Sequence, residues 1–436
     1  MEKFVLKTVL CAFVLIPNAV FSQFAPTYFA LKDVQVIDGM STTVLAHQTI
    51  IIRGNRIEKI GSSNQTTIPD SCVTFPLNGK FVIPGLIDTH VHLATEPSGT
   101  DSRARAEKDL LAMLLSGITS VRDMAGDARA LASLSRDALV GDIQAPDIYY
   151  SALLAGPAFF TDSRTHQTSK GATPGQLPFM RAVTHTTDLP LVVAEAKGTG
   201  ARAIKLYAQL DAGLAKKITT EAHRQGLLVW SHTDLTIANP LEVIESGVNS
   251  ISHAGMIARW PAGTIPEAWL KPDLSERFWD DAFKTLPVDD YIKAMLRHKT
   301  ILDATLVTYK NDLDDPSSSG ATNYRTRANW EIGKRFTTLA LSRGVPICTG
   351  TDTDENKFVQ REMKTLVKAC GFTPMQVLIS ATKHGAMALG IHEGTGTVSA
   401  GKVANLVVLG ANPVESIDNI DSVELVIKNG RLFNVH

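Results

Sequence analysis

The residues best suited to chemistry are four histidines, a lysine and an aspartate, each set in or just after a short apolar run. His90-Val91-His92 follows Pro84-Gly85-Leu86-Ile87-Asp88. On an extended chain residues i and i+2 point the same way, so both imidazoles can meet one metal ion. His232 closes Leu228-Val229-Trp230-Ser231, and His253 closes Ser250-Ile251-Ser252. Asp352 follows Pro346-Ile347-Cys348-Thr349-Gly350-Thr351, with Asp354 and Glu355 as loop charges beyond it. Lys205 lies inside Ala203-Ile204-Lys205-Leu206-Tyr207. A lysine in an apolar strand is costly unless it is paired or neutral. A lone His-x-His is weak, and one strand-end histidine is more often structural than a ligand. Two on consecutive strands, joined to the His90/His92 pair, reverse that balance and point to a metal centre. The imidazole and carboxylate donors suit zinc, with Mn, Co and Fe as alternatives.

Lys205 poses a specific problem. An ammonium beside divalent cations would be repelled. Carbamylation by CO₂ would turn it into an anion with two oxygen donors, one for each of two metals. The competing reading is a lysine paired with a buried carboxylate.

These side chains need a frame that gathers strand ends. Short apolar strands are expected at 81–88, 118–122, 147–153, 203–207, 227–231, 248–252, 300–306 and 345–349, with helical stretches between them. One helix is expected at 102–116. Another, at 212–225, has apolar residues at helical spacing and ends before Gly226. Eight strands alternating with helices is the pattern of an α/β fold, a (β/α)₈ TIM barrel, whose catalytic groups sit at the C-terminal strand ends. A doubly wound open sheet is the structural rival. Both chain ends read differently. Val34–Asp38, 49–53, 57–61, 405–409 and 423–427 are short β-like runs separated by turns such as Gly54-Asn55 and Asn429-Gly430. The expected domains are a composite β-sandwich from 23–82 and 396–436 and a barrel over 83–395.

Two connections are long, 155–190 and 255–288, and the second holds Trp260, Trp269 and Trp279. Long loops of this kind form substrate walls or lids, or pack on their own aromatics. His166 and Arg164 lie in the first of these loops. Tyr207, two residues after Lys205, can share its side of the strand and donate to a developing oxyanion, or be a packed core tyrosine.

The first residues carry Lys3 and Lys7, then a mostly apolar run from Val9 to Phe21, with Ser22 before Gln23. That is the pattern of a signal peptide over 1–22, with export to the periplasm or medium. The run is too short for a stable membrane span, which takes ~20 residues. Beyond it remain Cys72, Cys348 and Cys370, too few for a disulfide framework. Charged residues are 20% and the formal net charge is −1, so nothing suggests a nucleic-acid partner. A small-molecule substrate is expected.

The order His-x-His, Lys, His, His, Asp across strands one, four, five, six and eight resembles the amidohydrolase superfamily. The resemblance covers nearly the whole mature chain. The first-strand segment Pro84 to His92 is similar to a motif of that family. So is the return into the β-sandwich, from Gly396-Thr397-Val398 through Gly401-Lys402-Val403-Ala404-Asn405. Within it the chain is similar to the binuclear dipeptidase and imidazolonepropionase-like group. Gln360-Arg361-Glu362-Met363 departs from the group, where His-Arg-Glu-Leu is frequent. The resemblance implies that His90, His92 and Asp352 hold a more buried metal and His232 and His253 a more exposed one. Carbamylated Lys205 and a hydroxide would bridge the two. A role for His166 and Arg164 as substrate contacts is likewise what the resemblance implies. It also implies amide hydrolysis, of a dipeptide or N-acyl amino acid, with Asp352 as the proton carrier. A lactone, carbamate or phosphotriester would suit the same metals, and a non-catalytic exported binding protein is the alternative of another class.

Overall fold

The computed structural model describes residues 27–94, 102–259, 263–315, 320–352 and 358–435. Eight parallel strands form the central barrel: Leu86–Val91, Ile118–Asp123, Asp147–Ala155, Ala203–Leu206, Leu228–His232, Ser250–Ser252, Ile301–Asp303 and Ile347–Cys348. Each pairs in parallel with the next in this order. The seam between the eighth and the first is bridged by Thr89 N–H to Thr349 O at 2.9 Å and Asp352 N–H to His90 O at 2.8 Å. An open sheet would leave these two edges apart.

Sequence patterning explains the helices that flank the strands. Ala212–Arg224 starts at Asp211, whose carboxylate accepts from Leu214 N–H. Its buried residues Leu214, Ala215, Ile218, Thr219 and Ala222 fall on one face at helical spacing. Arg103–Leu115 starts at Ser102, which caps Arg105 N–H in the same manner.

The second layer is an eight-stranded sheet, mostly antiparallel, built from both chain ends. Tyr28–Val36, Leu45–Arg53 and Arg56–Ser62 come from the N-terminal part, and Leu406–Leu409, Val423–Lys428 and Arg431–Asn434 from the C-terminal part. The expected single strand at 81–88 is in fact two. Phe81–Pro84 belongs to the outer sheet, antiparallel to Leu406–Leu409, and the barrel strand begins at Leu86. The switch occurs at Gly85, where a Cβ would lie 2.2 Å from Thr119 Oγ1. Only a residue without a side chain lets the chain change sheets so close to the second barrel strand.

Both long connections carry structure of their own. The first holds the helix Ser163–Ser169 and the short strands Gln176–Leu177 and Met180–Ala182. In the second, Trp269 and Trp279 are buried and meet edge to face with ring centroids 6.2 Å apart. These two tryptophans belong to the main hydrophobic core; Trp260 lies outside the described residues. So do Asp354, Glu355 and the 1–22 segment. Among the described residues, no helix is long and apolar enough to cross a membrane. Cys72, Cys348 and Cys370 are buried free thiols.

Candidate metal centre and active site

The four histidines, Lys205 and Asp352 meet at one end of the barrel. His232 is the last residue of the fifth strand, and His253 comes directly after the sixth. Their rings form a continuous series. His92 lies 5.5 Å from His90, His90 4.8 Å from His253, and His253 4.8 Å from His232. Tyr207 extends it, 4.1 Å from His232. Asp352 faces this series, with His92 Nε2 at 3.2 Å, His90 Nε2 at 3.5 Å and His253 Nδ1 at 3.6 Å. Donor atoms of His90, His92 and Asp352 all lie within 4.8 Å of one another, close enough to share one cation.

Behind these side chains stands a layer that fixes their orientation. Asp303, at the end of the seventh strand, is fully buried. Its Oδ2 accepts from His90 Nδ1, Arg122 Nη2 and Ser252 Oγ, each at 2.8 Å. Thr89 Oγ1 donates to its Oδ1 at 3.1 Å. With Nδ1–H committed to Asp303, the His90 Nε2 lone pair is left facing Asp352 and the cavity. Arg122 is held in turn by Thr89 O and Ser250 Oγ, and its guanidinium stacks over Trp230 at 4.8 Å. Thr305 does for His253 what Asp303 does for His90. Its hydroxyl donates to Ala304 O at 2.9 Å and so accepts from His253 Nδ1, also at 2.9 Å.

Backbone strain is concentrated here. His253, Thr305 and Asp352 have φ of 74°, 48° and 48°. The left-handed region costs a non-glycine residue about 1–3 kcal/mol, and a β-branched threonine tolerates it least. Thr305 is held in place through the helix Leu306–Asp314 that starts immediately after it. Glu362 accepts from the first two amides of that helix, Leu306 N–H at 3.1 Å and Val307 N–H at 2.7 Å. From the same helix Thr308 Oγ1 donates to Thr351 O at 2.8 Å and Asp352 O at 3.1 Å. Gly350 completes the packing, since a Cβ there would lie 2.4 Å from Asp303 Oδ1 and 2.6 Å from His90 Cβ.

Burial and charge set the protonation states. Burial, reinforced by Lys205, holds His232 well below the usual histidine range, and burial lowers His253 to about 3. Both are neutral donors at pH 7. Burial would raise Asp352, but His90, His92 and His253 outweigh it and hold the carboxyl far below its usual range. Asp303 is likewise held down to about 2, against its burial, by His90 and Arg122. Burial, with Arg122 nearby, lowers Lys205 to about 7. Lys205 Nζ is buried and makes no hydrogen bond among the described residues. The alternative of a lysine paired with a buried carboxylate therefore fails: Asp303 and Asp352 are near enough to attract it, but neither forms an ion pair with it.

Above the centre opens a cavity of about 380 Å³. His90, His92, Lys205, Tyr207, His232, His253 and Asp352 line it. Tyr207 is thus a cavity residue, kept protonated because burial raises its phenol. His166 is not. It sits exposed on the helix Ser163–Ser169, while Arg164, Thr165 and Thr168 of that helix line the cavity. At about 100° per residue, positions 164, 165 and 168 share a face that 166 cannot join. Gln360 is buried and donates to Ser116 O, and His384 bonds Ile347 O; neither lines the cavity. Asp303, Arg122, Thr305 and Arg259 were not singled out by sequence reading. Asp303 carried a usable signal, a carboxylate closing the apolar run Ile301-Leu302 just as His232, His253 and Asp352 close theirs.

Residues 81–433 match the amidohydrolase family. This chain belongs to that family. It is therefore a hydrolase acting on carbon–nitrogen bonds, in a family that is generally metal-dependent. It is 23% identical to an ochratoxinase of Aspergillus niger over 401 residues, covering 81% of this chain and 75% of that protein. A putative prolidase from Bifidobacterium longum superposes with a TM-score of 0.72 at 25% identity, covering 94% of this chain and 95% of the other. A Xaa-Pro dipeptidase with bound methionine shares the fold at a TM-score of 0.73 and 22% identity, over 93% and 100% of the two chains.

Proposed function

We propose that the protein is an exported amidohydrolase that uses two divalent cations, of which zinc suits the donors best, to cleave an amide in a dipeptide or N-acyl amino acid. The observation that carries this reading is the convergence of four imidazoles and Asp352 around the unpartnered Lys205 Nζ. The residues fit the cations. His90, His92 and Asp352 would hold one, His232 and His253 the other. An orphaned buried amine is what a carbamate would complete: Nζ would add to CO₂ with loss of a proton, leaving an anion with two oxygen donors. When bound, the cations supply Lewis-acid polarisation of the scissile carbonyl and lower the pKa of a nearby water.

The chain's own groups do the rest. Asp352, ionised and facing the cavity, accepts the proton of the attacking water and returns it to the leaving amine. Tyr207, protonated and beside His232, donates to the oxygen on which negative charge develops. Asp303 and Thr305 hold their imidazoles in one tautomer, so no reorganisation is needed during the step. The relatives named for prolidase, dipeptidase and ochratoxinase activities support an amide as the bond cleaved.

Metal analysis of the purified protein, followed by a screen of dipeptides, N-acyl amino acids and lactones with added zinc, tests the reading. Amide cleavage at about two metals per chain is expected. A metal-free protein, or turnover of lactones alone, would overturn it. Export would be read from the N-terminus of secreted material, which should begin at Gln23.

A further inference from the structure

We propose that Arg259 determines specificity by holding a substrate carboxylate on one side of the cavity, while an apolar group across the scissile amide lies against the opposite side. This rests on the amide-hydrolase reading above.

Most apolar side chains of the cavity stand on one wall, which they share with Arg164, Thr165 and Thr168. Met124 follows the second barrel strand, and Phe159 and Met180 follow the third. Half-way round the eight-stranded barrel, Arg259 and Tyr309 follow the sixth and seventh, with Met256 beside them. The metal-centre residues lie between these halves. A substrate spanning the mouth therefore meets methionine, phenylalanine and an Arg164 already paired with Asp162 at one end, and Arg259 with a phenol and Met256 at the other. Methionine adapts to varied apolar shapes.

The two arginines of the cavity are not equivalent. Arg164 is matched by Asp162, with Nε 3.1 Å from both carboxylate oxygens and Nη2 2.6 Å from Oδ2. Arg259 has one carboxylate contact among the described residues, Asp234 Oδ2 at 3.7 Å, longer than a hydrogen bond. Asp234 is buried behind it, its Oδ1 accepting from Thr236 N–H and its Oδ2 facing the guanidinium. The Arg259 side chain is 33% exposed, toward the cavity it lines. Its planar fork of donors is thus available for a ligand. Bidentate capture of a carboxylate is the contact that geometry favours.

The test uses the zinc-loaded full-length enzyme with N-benzoylleucine and N-benzoylleucinamide, which differ only in the carboxylate. Binding is read by calorimetry and hydrolysis by release of leucine or leucinamide. The acid should bind at least about tenfold tighter than the amide, the span of a hydrogen bond to a charged group. Arg259→Gln should raise KM for the acid by about 10–100-fold, leave kcat within a few fold and leave the amide unchanged. Arg259→Lys should restore part of the preference. Met180→Ser should weaken acid and amide alike. Equal handling of acid and amide by the unmodified enzyme, failure to bind either, or equal losses for both in Arg259→Gln would overturn the proposal. Selective binding of the acid without cleavage would sustain it and sink amide hydrolysis instead. Cleavage without preference would do the reverse.

Discussion

Asp303 offers the sharpest test of how the centre is organised. Its Oδ2 alone receives His90, Arg122 and Ser252, each at 2.8 Å. Asp303→Asn can keep an oxygen at that position and turn its amide toward Thr89, so the geometry survives while the charge is lost. Hydrogen bonds to charged groups are worth about 1.5–3 kcal/mol and neutral ones about 0.5–1.5. Losing the charge at two such bonds should cost about 2–3 kcal/mol. Asp303→Ala should cost more, about 3–5 kcal/mol, because it strands the buried Arg122 guanidinium. The substitutions should also loosen the metal that His90 serves by about 10–100-fold, since nothing then fixes its tautomer. Urea unfolding of the metal-free protein gives the first quantity. Elemental analysis after graded chelator treatment gives the second. The pH dependence has a definite sign. Asp303 is depressed from 3.8 to about 2, so its stabilisation is present above pH 4 and disappears as pH falls through 2. At about 1.4 kcal/mol per unit this is about 2.5 kcal/mol, which the Asn variant should not show. If Asp303→Asn lost stability yet held metal as tightly as the parent, the orienting role assigned to this carboxylate would be wrong.

Three further outcomes are expected. Asp352→Asn should retain most of its metal but lose about 10²–10⁴-fold in kcat, the range of general acid–base catalysis; near-normal turnover would remove Asp352 from the proton path. Lys205→Ala should lose metal and activity, with partial recovery in a short-chain carboxylic acid that supplies the missing oxygens; full metal retention would count against carbamylation. Burial pushes Glu362 from 4.5 up to about 8, so the folded state holds its proton where the unfolded chain does not. That stabilisation is full below pH 4.5 and is lost as pH rises through 8, a fall of a few kcal/mol at about 1.4 per unit. In Glu362→Gln the unfolding free energy of the metal-free protein should be flatter across this window, and parallel curves would refute the assignment.

Much of this molecule is legible in one dimension. The barrel follows from apolar runs alternating with amphipathic helices. The candidate ligands stood out because the fold places chemistry where those runs end. His90 and His92 needed only the two-residue period of a strand. Lys205 stood out because a charge within an apolar run demands a reason. Other features depend on which strands become neighbours. Asp303 orients His90 from 213 positions away, across a seam closed by hydrogen bonds between the eighth and first strands. No local pattern encodes that contact. Helix phase decided that Arg164, and not His166, faces the cavity. Neighbouring carboxylates decided that Asp162 holds Arg164 through close hydrogen bonds while Arg259 has only the 3.7 Å contact to Asp234. Strand periodicity is a property of consecutive residues and is written in the sequence. Orientation, strain and charge compensation arise only when distant segments pack, and these set how the six candidate ligand residues can act.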